Sequence, residues 1–140
     1  MEAIKIIGSG LYAPGTPISN QELMELTGIE FDAQKFSGKI GIENRHIAHL
    51  RGIDETTVDF VTKAMRQAME NAHVDADAIG LFIVATDTPE YITPATAIIV
   101  QGRIQGGEKW SMSFDVSASC ASFTMAFDTA SRMLSSNPLI

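Results

Sequence analysis

The chain has one cysteine among its 140 residues, Cys120. A single thiol forms no internal disulfide, and no Cys/His cluster has the spacing of a zinc site. Basic residues are also few: 10 Lys and Arg stand against 17 Asp and Glu, for a net charge of −7. That balance argues against non-specific nucleic-acid binding, which needs a basic surface to displace counterions from phosphate. It argues equally against docking on anionic membranes. Long apolar runs are missing as well. The longest, Ala78 to Ala85, is far short of the roughly 20 residues that span a bilayer. The start, M-E-A-I-K-I-I-G, has neither a basic n-region nor a long apolar h-region, so no signal peptide is expected. A reducing cytoplasm fits these absences best. The chain has no repeat, low-complexity segment or linker, and with 45% hydrophobic and 19% charged residues it reads as one globular domain.

Elements follow from periodicity and punctuation. Ile4 to Ile7 reads as a strand ending at Gly8-Ser9-Gly10. The stretch S-N-Q-E-L-M-E-L-T-G reads as a short helix, with Ser19 and Glu22 at capping-box spacing and Gly28 as the stop. Residues 29 to 53 are irregular by pattern, with a possible strand at Arg45 to Ala48. Thr56 to Ala72 is the clearest helix, its Val58, Val61, Met65, Ala68 and Ala72 repeating at steps of three and four. I-G-L-F-I-V-A-T is a continuous apolar run that suits a strand buried on both faces. Ala95 to Ile104 reads as a helix, G-G-E-K as a turn, Trp110 to Val116 as a strand and Ala121 to Leu134 as a buried helix. The order β, α, α, β, α, β, α predicts an α/β sheet with covered faces. The last residues, S-S-N-P-L-I, read as a turn and the possible opening of another strand, so a longer protein is expected.

Several segments could carry chemistry. Gly8 to Ala13 formally matches G-x-G-x-x-A, but Pro14, Gly15 and Pro17 prevent the helix that a dinucleotide site requires, leaving a tight turn. His46, His49 and His73 lack a metal context and read as surface or locally bonded groups. Lys35, Lys39, Arg45 and Arg51 cluster in sequence and read as a solvated loop. Asp87 and Glu90 sit in the loop after the apolar strand, where α/β sheets often bind ligands, although loop acids are usually just solvated. By residue type alone, Cys120 is either a small buried hydrophobe or a nucleophile. Its place between the strand and the helix favours the second. Free N–H groups at a helix start stabilise a thiolate and could hold an oxyanion when a thioester carbonyl is attacked. Small residues around it (Ser117, Ala118, Ser119, Ala121, Ser122) leave room for substrate.

F-D-V-S-A-S-C-A-S-F, Phe114 to Phe123, resembles the active-site segment of 3-oxoacyl-[acyl-carrier-protein] synthase III, a condensing enzyme of bacterial fatty-acid synthesis. G-I-E-N-R-H-I-A, Gly41 to Ala48, matches that family's G-I-x-x-R-H-I-A segment. The opening I-K-I-I-G-S-G-L-Y-A-P-G, and I-G-L-F-I-V-A-T-D-T followed by P-A-T-A, agree in order and spacing. The resemblance covers essentially the whole chain. It implies an incomplete thiolase-like α/β fold: a first-half domain, residues 1 to 140, with a mixed sheet covered by helices in αβα layers.

The resemblance further implies that Cys120 accepts an acyl group from acyl-coenzyme A and that the acyl group condenses with malonyl-acyl carrier protein, releasing carbon dioxide. Coenzyme A enters as a thioester substrate, with no covalently bound cofactor expected. Catalysis in the family also needs a histidine and an asparagine from its second half, absent here, so this chain alone is not expected to complete the condensation. Lys35, Lys39 and Ile40 stand where the family usually has tryptophan, arginine and threonine on the coenzyme A side; lysine meets a phosphate as a point charge but neither stacks nor forks. Ser122 stands where glycine is usual, and Thr93 where an aromatic often sits by the acyl pocket. The family's homodimers join first-half sheets edge to edge, here along Ser111 to Asp115. A hydroxymethylglutaryl-coenzyme A synthase-like enzyme, a polyketide starter condensing enzyme and a non-catalytic assembly module remain the alternatives.

Overall fold

The computed structural model describes residues 4–107, 109–137 and 140. The expected G-G-E-K turn and the terminal strand opening lie partly outside these residues, at Glu108, Pro138 and Leu139. The chain divides into two compact units: one runs up to Tyr12 and resumes at Thr56, and the other is Ala13–Glu55. Among the described residues no helix is long and apolar enough to cross a membrane.

In the smaller unit, strand β1 (Ile18–Ser19) pairs antiparallel with β2 (Asn44–Arg45). Helix α1 (Asn20–Thr27) begins and stops where the sequence says: Ser19 accepts from the Glu22 N–H at 3.1 Å, and left-handed Gly28 donates to the Met24 carbonyl at 2.8 Å. The Glu22 carboxylate also pairs with Arg51 at 2.6 Å. Residues 29 to 53 are less irregular than their pattern. Helix α2 (Ala33–Lys35) runs into a π-helical turn, Phe36–Ile40, and the strand is β2 rather than Arg45 to Ala48.

The larger unit starts with a departure from expectation: Ile4 to Ile7 forms no strand. A strand needs a neighbour's N–H and C=O groups; no strand among the described residues pairs with this segment, and the residues after it, Gly8 to Leu11, run beside helix α3 (Thr57–Ala72). The Leu11 N–H donates to Gln67 at 2.6 Å, and Asn71 donates to the Ser9 carbonyl at 2.8 Å. Gly8 and Gly10 permit that approach, since a Cβ would lie 2.5 Å from the Ala68 carbonyl oxygen and 2.1 Å from that of Ala64. The glycines therefore serve packing, and the tight turn expected at Gly8 to Gly10 does not form.

Beyond α3 the chain forms a β–α–β unit. Strand β3 (Leu81–Ala85), helix α4 (Thr96–Gln105) and strand β4 (Met112–Val116) follow in order, with β3 and β4 parallel from Leu81 opposite Met112 to Ala85 opposite Val116. Phe82 and Val84 turn to one face and pack with Val58, Ala97 and Val100 into the core. The other face is not fully covered: Leu81, Ile83 and Ala85 line an open groove. Helix α5 (Ser122–Ser136) lies on that side, and of its residues only Ser122 and Ala126 are buried. The expectation of a fully buried strand and helix thus fails within this chain. The apolar residues are there, but no second layer among the described residues covers Phe123, Met125, Phe127 and Leu134.

The core-facing residues of β4, Ser113 and Asp115, and Ser111 just before the strand are polar, and each has a partner on α4. Ser111 lies 2.8 Å from Gln105 Oε1, Ser113 donates to Gln101 at 2.8 Å, and Asp115 accepts from the Thr96 and Ala97 amides at 2.7 and 2.8 Å. Two strand residues advance roughly 6.6 Å and four helix residues about 6 Å, so the rungs stay in step. Asp115 supplies the N-cap that Ala95 cannot. Helix α3 has a full capping box between Thr56 and Asp59, and Glu90 accepts from its Val58 N–H at 3.1 Å.

Two predictions follow from these caps. Asp115→Ala orphans two amide donors and should cost about 2–4 kcal/mol, read by urea unfolding; an unchanged midpoint would remove the ladder from the stability account. Asp59 is held down to about 2 by the Thr56 N–H, then by Arg103 and the Thr56 hydroxyl. A carboxylate with a depressed folded pKa stabilises fully above its unfolded value, 3.8, and loses that contribution as pH falls towards 2. Asp59→Asn should therefore be less stable than the parent at pH 7, with the gap closing between pH 5 and pH 2 in urea midpoints.

Candidate active site

The turn carrying Cys120 joins two rigid elements. Strand β4 ends at Val116 and α5 opens at Ser122, each within a residue or so of the sequence expectation. Between them Ser119–Ala121 forms a 3₁₀ turn, closed by the Ala121 N–H on the Ala118 carbonyl at 3.0 Å. Cys120 is free and exposed, one residue before the N-cap, Ala121. Ala121 supplies no side-chain cap to α5, as an alanine cannot. Ser119, just before the thiol, holds a left-handed φ of 48°, which is uncommon for a residue with a Cβ.

Ser122 accounts for that conformation better than anything in the sequence pattern. It is 5% exposed, and its hydroxyl makes two bonds. It accepts from the Ala118 N–H at 2.8 Å and donates to the Ser119 carbonyl at 2.8 Å. The residue singled out as a pocket position therefore has its polar atom turned onto the turn.

The loop after β3 lies beside this turn because β3 and β4 are parallel and end together. The Thr86 N–H donates to the Val116 carbonyl at 3.0 Å, and the Ser117 hydroxyl donates to Asp87. Asp87 and Glu90 are thus committed to Ser117 and to α3, not simply solvated. Thr93 is exposed in the same loop, before Pro94 and the start of α4. An open groove of about 800 Å³ runs between α3, β3 and α5, lined by Met65, Ile83, Ala85, Phe123 and Phe127 among others. Phe123 is 73% exposed, and its ring stacks on that of Phe127 at 6.2 Å between centroids.

The basic cluster lies in the smaller unit and divides in two. Lys35 and Lys39 are exposed on the helical segment Ala33 to Ile40. Arg45 and Arg51 are not solvated as expected. Arg45 donates to Asn20, and Arg51 donates to the Thr16 and Pro17 carbonyls at 3.0 and 2.8 Å while pairing with Glu22. The Arg51 guanidinium holds the Glu22 carboxyl below the usual range. His46 Nδ1 faces the Pro14 and Gly15 carbonyls at 3.2 Å each, so Nδ1 carries the proton. His49 begins a 3₁₀ turn and His73 is the left-handed cap of α3. Among the described residues no group of three or more His, Cys, Asp or Glu could hold a metal ion. Sequence reasoning passed over Asp115 and the two bonds of Ser122. S-x-S-x-D at strand period, facing T-A-x-x-x-Q-x-x-x-Q at helical period, was the available signal for the first.

No protein-family model matches the chain. Curated relatives do. A beta-ketoacyl-[acyl-carrier-protein] synthase III of Clostridium perfringens (strain SM101 / Type A) is 39% identical over 126 residues, covering 90% of this chain and 36% of the relative. One of Clostridium acetobutylicum is 34% identical over 134 residues, 96% of this chain and 39% of the relative. In structure, the 3-oxoacyl-[acyl-carrier-protein] synthase III of Aquifex aeolicus VF5 superposes with a TM-score of 0.80 at 31% identity, over 94% of this chain and 40% of that one. The priming beta-ketosynthase of the R1128 polyketide pathway gives 0.79 at 30%, over 92% and 36%. The chain therefore spans well under half the length of these relatives. In sequence and in fold it is a partial-length relative of the 3-oxoacyl-[acyl-carrier-protein] synthase III family, with that family's thiolase-like α/β architecture.

Proposed function

We propose that the protein carrying this chain is a condensing acyltransferase in which Cys120 accepts an acyl group. The observation that carries the reading is the exposed thiol in a tight turn between β4 and α5, at a helix start that no side chain caps. The Cys120 thiolate attacks the carbonyl of an acyl-coenzyme A thioester. The carbon–sulfur bond to coenzyme A breaks, and the departing coenzyme A thiolate takes up a proton. First-turn amides of α5 offer the developing oxyanion hydrogen-bond donors and the positive end of the helix dipole. Malonyl-acyl carrier protein then loses carbon dioxide. The resulting carbanion attacks the acyl-cysteine carbonyl, and the Cys120 sulfur leaves as thiolate.

Lys35 and Lys39 belong in this reading on the coenzyme A side, where exposed ammonium groups suit phosphate rather than the adenine ring. Thr93 belongs with the acyl pocket. Likeness to a fatty-acid enzyme and to a polyketide priming enzyme is nearly equal, so initiation of polyketide synthesis is the second reading, separated from the first by donor preference. A cytoplasmic enzyme fits the free thiol. A homodimer fits β4, which pairs only with β3 among the described residues and leaves an edge for a second copy.

Short acyl-coenzyme A thioesters incubated with the protein made from its complete reading frame should leave one acyl adduct, mapped to Cys120 by intact mass and peptide analysis and lost in Cys120→Ala. No adduct with any donor tested, together with slow alkylation of the thiol, would overturn the assignment. Residues 1 to 140 expressed alone should give no condensation product from malonyl thioesters, and turnover by that segment would show the second half to be dispensable.

A further inference from the structure

We infer that Ser122 is a positioning residue for Cys120, its hydroxyl holding the thiol-bearing turn in the geometry that acyl transfer needs; the inference rests on the reading of Cys120 as acyl acceptor. The two bonds of Ser122 reach the Ala118 amide and the Ser119 carbonyl, on the far side of the cysteine in sequence. They therefore bracket Cys120 between its preceding residues and the first residue of α5.

The bonds also hold a conformation that the backbone alone disfavours. Ser119 sits at φ 48° and Ala118 at φ −154°, ψ 37°, neither an ordinary helical or extended state. The Ser122 N–H closes on the same Ser119 carbonyl, so the side chain of Ser122 holds both ends of the Ala118–Ser119 dipeptide and its backbone holds the carbonyl end a second time. With Ser122 buried, solvent does not readily replace a missing hydroxyl. Loss of the hydroxyl should let Ser119 relax and move the sulfur relative to the first-turn amides. Misplacement by about 1 Å costs on the order of 100-fold in an oriented reaction.

The test compares parent, Ser122→Ala and Ser122→Thr in the complete protein. Three quantities are read: the rate of acyl-adduct formation on Cys120 across acyl-coenzyme A concentrations, alkylation by iodoacetamide, and the thermal midpoint. Acylation by Ser122→Ala should fall roughly 10- to 100-fold in maximal rate with little change in half-saturating donor. Alkylation, which needs no oriented acceptor site, should stay within about threefold. Ser122→Thr, which keeps the hydroxyl, should recover most of the loss. Parent-like acylation by Ser122→Ala overturns the inference. So does a loss in which acylation, alkylation and thermal midpoint fall together without recovery by threonine, since that marks a merely structural role. A parent protein that forms no adduct overturns the underlying reading of Cys120, and the inference falls with it.

Discussion

The polar ladder between β4 and α4 sets the frame in which Cys120 is placed. Apolar packing of Phe82, Val84, Ala97 and Val100 pulls helix and sheet together, but such contacts are non-directional and tolerate sliding. Ser111, Ser113 and Asp115 remove that freedom, because Ser111 and Ser113 each have one partner on α4 at hydrogen-bonding distance and Asp115 has two. A slip by one strand residue would turn all three to the opposite face and leave the amides of Thr96 and Ala97 without their acceptor. Asp115 adds a charge complementary to the helix start. The end of β4, and with it the turn that follows, is fixed by this register.

From that end the chain has five residues, Ser117 to Ala121, before α5 begins. Both parallel strands finish at the same level, so the loop after β3 is close enough for Asp87 to take the Ser117 hydroxyl and for Thr86 to reach Val116. Glu90 ties the same loop to the start of α3. Acidic side chains from elsewhere in the chain thus cap the starts of α3 and α4, while the start of α5 carries none. This contrast leaves the backbone donors at the start of α5 beside the thiol without a side-chain cap from Ala121.

The G-I-E-N-R-H-I-A segment illustrates how a recognisable motif can be architecture. Its Arg45 is bound to Asn20, and His46 faces the Pro14 and Gly15 carbonyls. Arg51, just beyond, spends its guanidinium on Glu22 and two carbonyls. The two guanidiniums, read from the sequence as part of a solvated loop, organise residues 16 to 22 instead, and of that basic cluster only Lys35 and Lys39 are left exposed. Sequence spacing could not show this, because the partners lie about 25 to 35 residues away in the chain.

Much was legible in the sequence where the signals are local. Ser19, Gly28 and Thr56 mark helix ends through bonds spanning three or four residues, and the apolar period of α3 survives any tertiary arrangement. The strand–turn–helix around Cys120 was legible for the same reason. What needed the tertiary structure depends on distant partners. Ile4 to Ile7 has strand composition, but no strand among the described residues lies beside it to pair with, so no ladder forms. Leu81, Ile83 and the apolar circumference of α5 announce burial, yet a second layer must exist to provide it. Ser122 reads as one more small residue until the turn folds back and both hydrogen-bonding functions of its hydroxyl are taken up.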